Sequence, residues 1–123
     1  MKKLLILIMM LVTLTSYSQQ ESLIYPNMLI IDENDATQLV DTPFRINYYG
    51  DYKEINRVEI TQQITGKYTI LRIVSKMYLV KSGRETFIGA EYFDGNEVLT
   101  AEFYQDFKEV VLRGKTTTYY FKL

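Results

Sequence analysis

The chain has no cysteine, no histidine and no tryptophan, and only two prolines among its 123 residues. Without cysteine there is no disulfide, no thiol nucleophile and no lipid-bearing residue after a leader, so burial alone must hold the fold together. Without histidine, the Ser-His-Asp and Cys-His arrangements are unavailable, as are zinc and haem sites that rely on histidine or cysteine. The serines beyond residue 18 are Ser22, Ser75 and Ser82, and none lies in a nucleophile elbow or a serine-lysine motif. No glycine loop has the spacing that cradles phosphate. Fourteen basic residues stand against fifteen acidic ones with no long basic run, so the electrostatic term that dominates nucleic-acid affinity is missing. The sequence calls for no cofactor and no metal, and it points away from a nucleic-acid partner.

The first eighteen residues differ from the rest. Lys2 and Lys3 are followed by an apolar run, Leu4 to Leu14, broken only by Thr13, and no acid precedes Glu21. This is the profile of a signal peptide. The run is shorter than the roughly 20 residues that span a bilayer core, so no permanent membrane anchor is expected after cleavage. Ser16 and Ser18 supply the small residues a signal peptidase needs, placing the cut before Gln19. The expected product is a single domain, residues 19–123, secreted or periplasmic. Loss of Lys2 and Lys3 leaves twelve basic groups against fifteen acidic ones, a formal charge of −3.

From Phe44 onward, short runs rich in β-formers alternate with glycine-bearing turns: Phe44 to Tyr49, Arg57 to Thr65, Lys67 to Lys81, Glu85 to Phe93, Glu97 to Gln105, Lys108 to Arg113 and Thr116 to Lys122. The intervening Gly50-Asp51, Thr65-Gly66, Ser82-Gly83, Asp94-Gly95, Gln105-Asp106 and Gly114-Lys115 supply turn chemistry. With Met28 to Asp32 this gives about eight strands in an all-β, antiparallel, up-and-down meander, barrel-like or folded as a sandwich. Residues 19 to 27 read as an irregular lead-in. Asp35 and Gln38 make a weak capping box, with Pro43 limiting any helix there to one turn.

Taking each dipeptide as a two-residue loop sets Ala90 against Leu99, Ile88 against Ala101, Thr86 against Phe103, Ile73 against Tyr92 and Val110 against Tyr119, all on one apolar face. Glu59 then meets Arg72 on the other face. Independent turns agree on which face is buried. The run from Lys67 to Lys81 is too long for one regular strand and is expected to bend or carry a bulge. The meander is similar to lipocalin-like barrels in architecture only, because the glycine and tryptophan of that signature are missing.

Ten tyrosines follow the leader. Tyr78, Phe87, Tyr104 and Tyr120 fall on the outward face, which an antiparallel sheet normally keeps polar, and form a candidate interaction face for a protein partner or a homo-oligomer. The competing explanation is that this face packs under the N-terminal segment. On the inward face the small side chains of Ser75, Ala90 and Ala101 are candidate lining for a cavity holding a small apolar ligand, unless Tyr92, Phe103, Tyr119 and Phe121 fill that space. Asp32 to Asp35 supply oxygen ligands but lack the glycine and terminal glutamate of a calcium loop, and read as an acidic turn. Among carboxylates, Glu59, Glu91, Glu97, Glu102 and Asp106 are the candidates for an acid/base pair. The sequence therefore favours an exported, non-enzymatic binding or interaction protein using its tyrosine-rich face. A small barrel carrying an apolar ligand is the alternative, and a carboxylate-only hydrolase comes third.

Overall fold

The computed structural model describes residues 20–50, 54–82 and 85–123. The leader-like segment and its cleavage site before Gln19 lie outside them, as do Asp51 and Gly83 of two predicted turns. The described residues form one antiparallel sheet: β1 Gln20–Tyr25, β2 Met28–Asp32, β3 Thr37–Val40, β4 Phe44–Gly50, β5 Ile55–Gln62, β6 Tyr68–Ile73, β7 Tyr78–Ser82, β8 Glu85–Phe93, β9 Val98–Tyr104, β10 Glu109–Arg113 and β11 Thr117–Lys122. A single 3-10 turn, Gln105–Phe107, joins β9 to β10. The sheet curls into a half-barrel, which decides between the barrel and sandwich alternatives.

The strand order is β1-β4-β5-β6-β8-β9-β10-β11-β2-β3, with β7 also pairing β8. From β4 to β11 this is the expected meander. The N-terminal part differs from the expectation in two ways. The lead-in is a strand, β1, and the stretch around Gln38 is a strand, β3, with no helical turn. A side chain decides the second point: the Asp32 carboxylate accepts the N–H groups of Asn34 and Ala36 at 2.9 and 3.0 Å, and Asp35 takes a positive φ of 61°. Asp32 to Asp35 thus close a hairpin instead of capping a helix.

β1 through β4 form one long hairpin, bent in the middle. Tyr25 pairs with Phe44 on one side of the bend and Met28 with Val40 on the other. The bend falls at Pro26-Asn27 and Asp41 to Pro43, and so uses both prolines of the chain, residues that cannot continue a ladder. Beyond it the hairpin divides its pairing, β4 joining β5 and β2 joining β11. One kinked ribbon therefore spans the two ends of the meander, and at that corner the sheet must curl, because Tyr25 and Met28 are only three residues apart.

The predicted faces hold, but the registers move by two. Ala90 faces Ala101, Ile88 faces Phe103 and Tyr92 faces Leu99. Val110 faces Phe121 and Leu112 faces Tyr119. Val58 faces Leu71. Each turn sits one residue from its expected place, and a one-residue move of a turn changes register by two, which preserves the face. In β8–β9 the cause is Asp94, whose carboxylate accepts the N–H groups of Asn96 and Glu97, both at 2.7 Å. This puts Gly95, with φ 99°, first in the loop. Where Glu59 was expected to meet Arg72, Glu59 lies opposite Ile70 and forms its ion pair with Arg57 of its own strand.

The long run breaks at residues 74–77 into β6 and β7. Ile73 faces Tyr92 as expected; the same register carried on would bring Met77 to Ile88, but Leu79 stands there, so two extra residues sit in the break. Ser75 spans it: its Oγ accepts the Glu91 N–H at 2.8 Å and donates to the Lys76 carbonyl at 3.1 Å. The concave side holds the core, including Tyr25, Ile46, Tyr48, Val58, Leu71, Ala90, Tyr92, Leu99, Phe103, Val110 and Phe121.

Candidate functional site

One end of the half-barrel is open. There β7, the start of β8 and the adjoining end of β9 meet the ends of β1 and β4 around a cleft of about 1250 Å³. Its floor is apolar: Tyr48, Ile55, Met77, Leu79, Ile88, Phe103 and Phe107. Of these, Tyr48 and Phe103 belong to the core, whereas Leu79 and Ile88 are 61% and 38% exposed although they project from the concave side. The lip carries Glu21, Glu85, Asp106, Glu109, Lys108 and Lys122.

Phe107 enters the cleft because of its backbone. Asp106 and Phe107 have φ values of 57° and 55°, a left-handed pair that aspartate tolerates and phenylalanine rarely adopts. The resulting turn stacks the Phe107 ring on Tyr48, with centroids 4.5 Å apart, and sets it edge-on to Phe103 at 5.8 Å. Its carbonyl accepts the Tyr25 hydroxyl at 2.6 Å, so Tyr25 has no proton left for Tyr48 and must accept from it at 2.7 Å. Burial pushes the Tyr25 phenol up to about 12, a rise partly offset by the hydrogen bond from Tyr48. Burial also raises Tyr48 and Tyr92 well above the ordinary tyrosine value. Tyr92 donates to the Ile55 carbonyl at 2.6 Å. The aspartate at 106 was legible as a turn residue, but nothing in the sequence assigned its neighbour Phe107 to a site.

The predicted cavity lining is not where the cleft is. Ala90 and Ala101 face each other, both fully buried, within a core that holds Tyr92 and Phe103 ring to edge at 6.0 Å. Ser75 is held in the ladder break. None of the three is among the cleft walls.

The predicted interaction face is one connected region of the convex side. A cross-strand row runs Leu39, Leu29, Tyr120, Val111, Glu102, Gly89, Tyr78. The register of β6 carried on unbroken would have set Tyr78 against Phe87; it lies opposite Gly89 because of the two residues inserted at the break. Its ring covers that glycine so closely that an added Cβ would stand 2.6 Å from it. Phe87 packs on Tyr104 with centroids 5.1 Å apart. Glu102 pairs with Arg113 at 3.1 Å and accepts the Tyr104 hydroxyl at 3.4 Å. The alternative cover for this face, the N-terminal segment, lies in the sheet as β1 over residues 20–25. Tyr78 is 42% exposed, while Phe87, Tyr104 and Tyr120 are half-buried. Phe87 and Tyr104 also border the cleft.

Of the candidate carboxylates, Glu59 and Glu102 are paired with arginines. Glu59 accepts from Arg57 and from the Tyr49 hydroxyl, the latter at 2.8 Å. Its burial works to raise the pKa, but these hydrogen bonds and the Arg57 charge outweigh it and hold the group below the usual range, opposite to what a general acid requires. Among the described residues no cluster of three or more acidic side chains is placed to hold a metal.

No family model, curated protein or solved structure matches the chain. The functional reading therefore rests on this geometry.

Proposed function

We propose that this is an exported, non-enzymatic binding protein that takes an apolar ligand into the open end of its half-barrel. The carrying observation is the exposure of Leu79 and Ile88 on a concave face whose other strand centres, Ala90, Tyr92, Leu99 and Ala101, are buried. A surface of this kind costs about 25 cal/mol for each Å² left in water, and concave, mostly apolar sites are where small ligands bind. The leader-like first eighteen residues support action outside the cytoplasm.

An apolar fluorescent probe tests this. The wild type should bind it saturably, at one probe per chain. Ile88→Glu should abolish binding, while Val98→Glu on the convex side, where Val98 is already 47% exposed, should leave it intact. Equal loss in both variants, or none in Ile88→Glu, would overturn the assignment. A second reading, recognition of a protein through the convex aromatic face, is favoured by the exposure of Tyr78 at the end of the cross-strand row. It ranks behind the cleft because Phe87, Tyr104 and Tyr120 are half-buried, with Phe87 packed at a tilt on Tyr104 and Tyr104 bound to Glu102.

A further inference from the structure

The wall of the cleft that carries Leu79 is a strand paired on one side only. β7 is matched to β8 over its whole length, from Tyr78 opposite Gly89 to Ser82 opposite Glu85, and among the described residues no strand pairs with its other edge. β5 does not run along it. Arg57 pairs with Arg72 and Gly50 with Ile55, so β5 begins level with the break at residues 74–77 and leaves β7 uncovered.

In an antiparallel ladder, alternate residues turn both N–H and C=O to the same side. The open edge of β7 therefore presents a row of backbone donors and acceptors next to an apolar floor that includes Met77, Leu79, Ile88, Phe103 and Phe107. Thr86 and Gln105 add side-chain hydrogen-bonding groups to the lining. A hydrocarbon would fill the floor and leave that row unused. An extended backbone offers donors and acceptors at the matching repeat, and its alternate side chains point to the floor. Lys81 disfavours a second copy of β7 as the added strand. It is exposed, lies on the same face as Leu79, and has no ion-pair partner among the described residues. Two β7 edges laid together would crowd two such ammonium groups on one face, whereas an acidic side chain opposite Lys81 is favourable. We infer that the cleft takes an extended peptide that adds to the edge of β7, antiparallel, with apolar side chains at Leu79 and Met77 and an acidic one at Lys81. This rests on the binding reading above and names its class of ligand.

The test uses the capped peptide Thr-Glu-Thr-Val-Thr-Val-Thr and two backbone-methylated forms, one N-methylated at the glutamate and valines and the other at the threonines. The parent should displace the apolar probe at one peptide per chain. One methylated form should bind at least about tenfold more weakly, having lost the N–H donors that face β7, and the other should bind like the parent. Amide exchange at alternate residues of Tyr78–Ser82 should slow in the complex. Lys81→Glu should weaken the parent several-fold and strengthen the peptide with lysine in place of glutamate. The methylated pair, read on the wild type, decides even if that variant failed to fold. Equal affinities for the two methylated forms, or a parent peptide that fails to displace a bound probe, would overturn the peptide inference and leave the cleft assignment standing. Failure of both probe and peptide to bind would overturn both.

Discussion

Alternation along each strand decides which residues are buried, and this was the part of the structure most legible in the sequence. Leu71, Tyr92, Leu99, Phe103, Val110 and Phe121 all lie on the face the turns predicted, despite turns displaced by one residue, because parity survives a register change of two. Leu71→Ala should cost about 2–5 kcal/mol as a cavity in a fully buried site. Glu91→Ala, on the exposed convex side, should stay within about 0.5 kcal/mol. Denaturant midpoints give the comparison, and a larger loss for Glu91→Ala would mean that the inner face is misassigned. The residues that escaped the sequence reading depend on distant partners. Tyr25 looked like part of an irregular lead-in because its strand partner, Phe44, is nineteen positions away. Gly89 drew no reading from the sequence, because the Tyr78 ring comes over it only through the residues inserted at 74–77.

Two elements explain why an ordinary meander becomes a half-barrel with an open end. The kinked ribbon of β1 to β4 joins the two ends of the meander at its proline corner. The break between β6 and β7 carries β7 past the β5 pairing, so that among the described residues β7 is paired with β8 alone. Fifteen residues were visibly too long for a regular strand, yet the position of the break depends on Ser75, whose small hydroxyl side chain can replace a ladder carbonyl. Ser75→Ala should cost about 1 kcal/mol by leaving the Glu91 N–H without its acceptor. Hydrogen exchange should show faster loss of protection at Glu91, with the cross-strand pairs Ala90–Ala101 and Ile88–Phe103 of β8–β9 unchanged. Unaltered protection at Glu91 would show that Ser75 does not fix the break. The ribbon was not legible, since pairing of β2 with β11 joins residues about ninety positions apart and no local pattern encodes such a contact.

At the scale of the whole molecule, the curl depends on buried phenols that tie separate parts of the chain together. Tyr48 and Tyr25 join β4 and β1 to the turn at Phe107, and Tyr92 joins β8 to the start of β5. These hydrogen bonds connect the near and far walls where the ladders do not. Each requires the neutral phenol, since a buried phenolate would lose its solvation and could no longer donate. Burial accordingly raises all three pKa values, that of Tyr25 from 10.0 to about 12. A folded value above the unfolded one means that the unfolded chain releases its protons first as pH rises. The stabilisation is complete below pH 10 and is lost progressively as the pH climbs toward 12. Circular dichroism and phenolate absorbance, followed together through that range, should show the sheet signal falling in one cooperative step as the buried phenols ionise. With the walls released, probe binding at the open end should disappear in the same step. A sheet signal that persisted unchanged to pH 12, with the buried phenols already ionised, would show that the tyrosine hydrogen bonds do not hold the curl.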